Sequence, residues 1–117
     1  MTTIKGIVIK GKQEGAKMGF PTANIEFGVG IKQEAGIYSG YAFVDGQKFK
    51  SAIYIGEDRP NILEAHIMDL EGNDLYGKEI EVKIIEKVRD QIKGLSFDKL
   101  KEVIKNDVQM IKLSLDF

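Results

Sequence analysis

The sequence of 117 residues contains no cysteine and a single histidine, His66. The absence of cysteine excludes disulfide bonds and thiolate metal sites, and it fits a reducing cytoplasm. One histidine cannot form a multi-histidine metal site, so we expect a hydrogen-bonded structural role for it. The chain also has no large net charge of either sign. The 17 basic and 18 acidic residues leave a formal charge of −1, which implies no general attraction to nucleic acid or to anionic membranes.

Long apolar stretches are also absent. No segment has the length that a bilayer crossing needs, and residues 1–5 lack the apolar core of a signal peptide. Hydrophobic residues make up 43% of the chain and charged residues 30%, the balance of an ordinary globular protein. We therefore expect one cytoplasmic domain, 1–117, that acts as a monomer without nucleic-acid or membrane partners.

The first two thirds of the chain have the pattern of short strands and turns. A strand from Ile37 to Val44 leads into Asp45-Gly46, a strong signal for a two-residue hairpin. A further strand is expected from Leu63 to Asp69. The most regular alternation of apolar and charged residues is in 79–88. It predicts a strand with four apolar residues on one face, namely Ile80, Val82, Ile84 and Val88.

The apolar spacing then changes to steps of three and four, which indicates a C-terminal helix. Ser96 is a candidate N-cap, and Asp98 suits the positive end of the helix dipole. The apolar stripe comprises Phe97, Leu100, Ile104, Val108, Ile111 and Leu115. We predict a mainly β protein, in which this helix packs on an antiparallel sheet of five or six strands curled into a barrel.

A polar, glycine-rich segment runs from Gly11 to Gly19. Glycine lets the backbone bend and approach a ligand closely, as phosphate-binding loops require. The segment is not a P-loop, because no Gly-Lys-Ser/Thr follows it and no helix is predicted directly after it. Its residues alone leave two alternatives, a phosphate-contacting loop and a flexible hairpin connection.

Thr22 and Asn24 follow Pro21, which fixes φ and stiffens the approach. In an extended segment the two side chains point to the same face. Two neutral oxygens can hold Mg²⁺, which keeps most of its other ligands as water and phosphate oxygen. The alternative is a turn in which both side chains bond to nearby backbone.

The order of several short motifs is more specific than any one of them. They are Gly6-Ile7-Val8, then Gly11, Gly15 and Lys17, Gly19-Phe20-Pro21-Thr22-Ala23-Asn24-Ile25, Gly36-Ile37-Tyr38, Ile55-Gly56, Glu64-Ala65-His66-Ile67, Asp74-Leu75-Tyr76-Gly77, Val88-Arg89 and Asp107. This series resembles the riboflavin kinase family over nearly the whole chain.

The resemblance implies a fold, an activity and a set of ligands. The fold is a six-stranded antiparallel β-barrel with one C-terminal α-helix, and the activity transfers the γ-phosphate of ATP to the 5′-hydroxyl of riboflavin, giving FMN and ADP. The cofactor is Mg²⁺ or another divalent ion such as Zn²⁺ or Mn²⁺, with Thr22 and Asn24 beside it. The nucleotide-binding residues are Gly11, Gly15, Lys17, Gly19, Thr22 and Asn24. In many bacteria an adenylyltransferase that makes FAD precedes this domain, and we expect none within these 117 residues.

Glu64 lies on the same predicted strand face as His66, between apolar residues of the opposite face. A carboxylate in this position is either a paired structural charge or a site residue. The family resemblance makes Glu64 the catalytic residue, a general base that accepts the proton of the riboflavin hydroxyl.

Two further residues have open roles. Arg89 matches a family arginine on the flavin side, and its alternative is a surface ion pair with Glu86 or Asp90. Phe97 is a possible contact of the flavin ring, but its place on the helix stripe favours core packing.

The chain departs from the family pattern at three places. The loop between Gly56 and Glu64 is short and carries Asn61 in place of a threonine. Lys17 stands where arginine is frequent, which keeps a charge but loses the bidentate fork. Gln33 and Glu34 replace a common proline. These departures concern the loop geometry and the kinetic efficiency more than the reaction class. The competing interpretation is a non-catalytic flavin- or nucleotide-binding module on the same barrel.

Overall fold

The computed structural model describes residues 2–10, 22–28, 33–59, 61–70 and 75–116. These residues form β1 (Thr2–Ile9), β2 (Ala23–Phe27), β3 (Gly36–Val44), β4 (Gln47–Ile55), β5 (Ile62–Ile67), β6 (Glu79–Arg89) and α1 (Phe97–Ser114). The strands close in the order β1-β2-β5-β4-β3-β6, and each pair is antiparallel. Closure leaves no open sheet edge. The predicted six-stranded antiparallel barrel with a C-terminal helix is confirmed. Within the described residues, no helix combines the length and the apolar character that a bilayer crossing requires.

The barrel interior is filled by alternate residues of the six strands. Ile4, Ile25, Ile53 and Leu63 are all fully buried there. Burying one such side chain contributes about 1.5–3 kcal/mol, so this set is a major source of stability. Gly40 lies where β3 meets β6 so closely that an added Cβ would overlap the backbone carbonyl of that strand. The close approach therefore requires glycine at this position.

The β3–β4 connection is the predicted two-residue hairpin. Asp45 and Gly46 both have positive φ, 50° and 80°. This is the backbone conformation that a type I′ turn requires, and Asp-Gly is among the sequences that adopt it most readily. The turn fixes the β3–β4 register, in which Val44 faces Gln47.

Strand β6 departs from simple alternation at two places. Its register with β3 shifts between Ile37 and Tyr38 and again between Ser39 and Gly40. Each shift adds one residue to β6, as in a β-bulge. Val88 consequently packs with the helix side of the wall and not with the interior. Its predicted place on the face of the interior residues was wrong, because the pattern assumed uninterrupted alternation.

Helix α1 begins as predicted. The Ser96 hydroxyl accepts a hydrogen bond from the backbone N–H of Lys99 at 3.3 Å, and Asp98 lies in the first turn. This contact satisfies one of the backbone donors that every helix start leaves unpaired.

The C-terminal half of α1 packs on the outside of the barrel. Ile111 and Leu115, the residue that caps the helix end, are buried against Ile37, Tyr41 and Ala52 of β3 and β4. The N-terminal half does not reach this cluster. Phe97 is 52% exposed, so its predicted core packing was wrong.

Candidate active site

One residue from each of five neighbouring strands lies in a single row across the barrel wall. Asn24 of β2 faces Glu64 of β5, and Glu64 faces Tyr54 of β4. Tyr54 in turn faces Ile37 of β3, which faces Arg89 of β6. Directly opposed residues have Cβ atoms about 4.5–5.5 Å apart, so the five side chains are close neighbours. We call these five residues the outer row.

The row faces away from the barrel interior. Leu63 and Ala65, the strand neighbours of Glu64, are fully buried in the interior cluster, and so is Ile53, the neighbour of Tyr54. Successive strand residues point to opposite faces, so Glu64 and Tyr54 project outward. His66 shares this outer face, as predicted, and its backbone carbonyl accepts a hydrogen bond from Ser51 at 3.0 Å.

Arg59 closes the row at its Asn24 end. Its Nη2 donates to Glu64 Oε1 at 2.5 Å and to Asn24 Oδ1 at 3.2 Å. The Arg59 and Glu64 side chains are 26% and 34% exposed, and Asn24 is buried. One guanidinium nitrogen therefore joins acceptor atoms from two strands. The sequence interpretation gave Arg59 no role.

The loop that carries Arg59 is short and well anchored. The backbone N–H of Ile62 donates to the Arg59 carbonyl at 3.2 Å. On the other side of the loop, the Glu57 N–H donates to Gln91 Oε1 at 3.2 Å, and the Glu57 carboxylate pairs with Lys93 at 2.7 Å. The shortened connection noted in the sequence thus places Arg59 beside the outer row.

The opposite end of the row is joined to the helix. Arg89 Nη2 lies 2.6 Å from Asp107 Oδ2, and its Nε donates to Oδ1 at 3.1 Å. The Asp107 side chain is 5% exposed and that of Arg89 22%, so the carboxylate of this bidentate pair is buried and the guanidinium is partly accessible. The partner of Arg89 is thus neither Glu86 nor the carboxylate of Asp90. Asp90 instead pairs with Lys87 at 2.6 Å, which lowers the pKa of the Asp90 carboxyl.

Tyr54 occupies the middle of the row. Its hydroxyl oxygen is buried and has no hydrogen-bond partner within the described part of the chain. Burial raises the pKa of the Tyr54 phenol well above its ordinary value, with Asp107 and Glu64 adding to the effect and Arg89 opposing it. The hydroxyl therefore remains a protonated donor next to Glu64. The sequence interpretation listed Tyr54 only as part of an alternating strand.

The predicted nucleotide and metal residues are only partly within the described chain. Thr22 is half-buried and directly precedes β2, in which Asn24 is the second residue. Gly11, Gly15, Lys17 and Gly19 lie outside the described residues.

The chemistry of this end of the row fits a hard divalent ion. Asn24 Oδ1 and Glu64 Oε1 already share a cationic partner, the Arg59 guanidinium. The described residues contain no group of three or more histidines or acids that would form a metal cage by itself. An ion beside Asn24 would therefore depend on neutral oxygens, water and ligand phosphates, which is the coordination that Mg²⁺ commonly has with nucleotides.

Comparison with known proteins gives the family. The flavokinase model, described as riboflavin kinase, matches residues 1–115. The chain belongs to the riboflavin kinase family. A riboflavin kinase of Bacillus subtilis, named RNA-binding riboflavin kinase RibR, is 35% identical over 95% of this chain. The bifunctional riboflavin kinase/FMN adenylyltransferase of Haemophilus influenzae is 37% identical over 93% of it. The chain spans 50% of the length of the former protein and 37% of the latter.

Solved structures support the fold. A riboflavin kinase from Trypanosoma brucei superposes with a TM-score of 0.66 at 23% identity, covering 94% of this chain and 76% of that one. A protein from Streptococcus pneumoniae described as a macrolide-efflux protein gives a TM-score of 0.83 at 24% identity, covering 97% of this chain and 37% of that one. At these identities the likeness concerns the fold alone.

Proposed function

We propose that this chain is a riboflavin kinase, which transfers the γ-phosphate of ATP to the ribityl 5′-hydroxyl of riboflavin and yields FMN and ADP. The observation that supports this most is the pairing of Glu64 with Asn24 across two strands of a riboflavin kinase fold. It brings a potential base next to a potential metal ligand on one outward face. A binding module has no need of a base at this place.

Glu64 acts in the proposed reaction as the general base. It accepts the proton of the 5′-hydroxyl while that oxygen bonds to the γ-phosphorus. The bond between the γ-phosphorus and the bridging oxygen breaks, and its electron pair leaves with ADP. General-base catalysis contributes typically about 10²–10⁴-fold, while positioning and charge stabilisation supply most of the remainder.

The nucleotide site consists in this proposal of the glycine-rich segment and the start of β2. Gly11, Gly15, Lys17 and Gly19 contact the phosphates, and Thr22 and Asn24 lie beside the divalent ion. Riboflavin kinases use ATP with a divalent metal, and Mg²⁺ is our choice among the possible ions, with Zn²⁺ or Mn²⁺ as substitutes. The ion would neutralise the charge that develops on the transferred phosphate. Asn24 supports this placement, since its carbonyl oxygen already accepts from a cation.

Arg89 marks the flavin side in this proposal. It lies three pairings from Glu64 in the outer row, where both carboxylate oxygens of Asp107 accept hydrogen bonds from one edge of its guanidinium. A rigid, charged group at this position can orient the polar edge of a planar ring.

We propose that residues 1–117 act as one domain, as a monomer in the cytoplasm, with riboflavin/FMN and ATP/ADP as partners. One relative is named RNA-binding, and this chain spans half of it. The formal charge of −1 supports the proposal that this chain does not bind nucleic acid.

The decisive experiment is incubation of the purified chain with riboflavin, ATP and Mg²⁺, with FMN and ADP measured by chromatography. Equal amounts of both products, absent without Mg²⁺, are expected. Tight flavin binding without FMN after prolonged incubation would contradict kinase function and favour the binding module.

A further inference from the structure

The chain has two arginines, and each is paired with an acid at one end of the outer row. The two arginines differ in how many of their nitrogen atoms donate hydrogen bonds. Arg89 donates from Nε, Nη1 and Nη2 to Asp107 and to the Asp90 carbonyl. Arg59 donates from Nη2 alone, and its Nε and Nη1 have no partner among the described residues. Because a guanidinium carries five N–H donors, most of the capacity of Arg59 is unused.

The unused donors of Arg59 are within reach of a ligand, since 26% of its side chain is accessible and, among the described residues, the buried polar atoms without a partner do not include its Nε or Nη1. Nε and Nη1 lie on different edges of the guanidinium, and each forms a planar fork with Nη2. Once Nη2 leaves Glu64 and Asn24, such a fork matches two oxygens of a phosphate, a geometry that lysine cannot provide. Arg59 is thus suited to bind a phosphate.

The present contacts of Arg59 also conflict with catalysis by Glu64. A guanidinium bonded to Glu64 Oε1 at 2.5 Å competes with a substrate hydroxyl for that carboxylate. It also holds Asn24 Oδ1, the oxygen proposed to bind the metal. Both contacts would have to give way when the metal and the donor nucleotide enter. An incoming phosphate offers Arg59 a replacement partner.

We propose that Arg59 is a catalytic residue that binds the terminal phosphate of the donor nucleotide. In the ligand-free protein it neutralises Glu64 and holds Asn24. When the nucleotide enters, the Arg59 guanidinium transfers to the terminal phosphate and no longer competes with the acceptor hydroxyl for Glu64 Oε1. The ligand's identity rests on the proposed kinase function, but the phosphate chemistry rests on the geometry of Arg59.

The test uses Arg59→Gln and Arg59→Lys in the full chain. The control is Lys93→Gln, which removes an exposed cation paired to the same loop, with its side chain 65% exposed. Two quantities are measured: the affinities for MgADP and for the magnesium complex of a non-hydrolysable ATP analogue by calorimetry, and kcat with both KM values for FMN formation. Thermal melts give the folded fraction of each variant.

Arg59→Gln should weaken the ATP analogue about tenfold or more and MgADP much less, because only the analogue has the terminal phosphate. Its kcat should fall about 10²-fold, as when one transition-state donor is removed. Arg59→Lys should retain part of the affinity for the ATP analogue and part of kcat. In both Arg59 variants the KM for riboflavin should stay within about twofold of wild type. Lys93→Gln should resemble wild type in all of these quantities.

Equal weakening of both nucleotides, or unchanged affinity for the analogue, would overturn the proposal. If Arg59→Gln does not fold, the same comparison is decided with Arg59→Lys, which keeps the charge opposite Glu64. If the wild type makes no FMN, the kinase proposal fails, but the comparison of the two nucleotides still decides whether Arg59 binds the terminal phosphate.

Discussion

Removal of the Tyr54 hydroxyl should leave the ligand-free protein more stable than wild type. The hydroxyl oxygen is buried, and no described group accepts or donates a hydrogen bond to it. The ring itself packs with the cluster beneath α1, so Tyr54→Phe keeps this packing and removes only the oxygen. Most tyrosine-to-phenylalanine changes in a protein interior have the opposite effect, because they break a hydrogen bond.

The expected magnitude follows from the cost of the unsatisfied group. A buried polar group without a partner costs about 1–3 kcal/mol. Part of this gain is lost because the deleted oxygen leaves a small void, so we expect the free energy of unfolding to rise by about 1 kcal/mol. For a domain of this size that corresponds to an increase in Tm of about 4 °C.

The increase in the free energy of unfolding caused by Tyr54→Phe should be larger at high pH. Burial raises the pKa of Tyr54 in the native state, so above the ordinary pKa of 10.0 the unfolded chain releases a proton that the native protein keeps. Stability therefore falls as pH rises, by about 1.4 kcal/mol per pH unit for this group. Tyr54→Phe lacks this loss, so its advantage over wild type should be larger by about 1.4 kcal/mol at pH 11 than at pH 8.

Urea unfolding of both proteins at pH 8 and pH 11 measures the two effects. Tyr38→Phe is the matched control, because the Tyr38 hydroxyl donates to the Glu34 carbonyl at 2.5 Å. That variant should lose about 0.5–1.5 kcal/mol. Destabilisation of Tyr54→Phe by as much as the control, with no dependence on pH, would refute the assignment of an unpartnered, desolvated hydroxyl.

Four other variants test the two ends of the row and the helix start. Asp107→Asn should lower the free energy of unfolding in urea by about 2–3 kcal/mol, because Arg89 loses its buried carboxylate, and a loss below about 0.5 kcal/mol would show that the pair is not a stabilising contact. Asn24→Ala and Thr22→Ala should each weaken MgADP binding by about 1–3 kcal/mol with unchanged circular dichroism, whereas a lower Tm with normal MgADP affinity would assign these residues to a turn. Ser96→Ala should cost up to about 1 kcal/mol and speed amide exchange in the first turn of α1, and unchanged exchange there would contradict the cap.

Local signals in the sequence were sufficient for the regular parts of the fold. Asp45-Gly46 predicted the hairpin because few dipeptides accept positive φ at both positions. Ser96 predicted the start of α1 through its hydroxyl. Alternation placed Glu64 on the strand face opposite to Leu63 and Ala65, and these two residues are buried inside the barrel.

Features that depend on contacts between distant segments were not predictable. Val88 packs on the helix side of the barrel wall because the register of β6 shifts twice against β3, and these shifts have no signature in the sequence of β6. The contact between Arg59 and Asn24 depends on the β2–β5 register and on the course of a short loop. Phe97 has the spacing of a core residue, but the helix meets the barrel only further along its length.

The kinetic comparison of Glu64→Gln with wild type tests the central claim most directly. The substitution keeps the shape of the side chain but cannot accept the proton, so kcat per folded molecule should fall about 10²-fold, the lower end for general-base catalysis. Riboflavin affinity should change little, since binding the ring does not require this carboxylate. A variant that is less stable but turns over at the wild-type rate in its folded fraction would contradict the account, because Glu64 would then be a structural charge paired with Arg59.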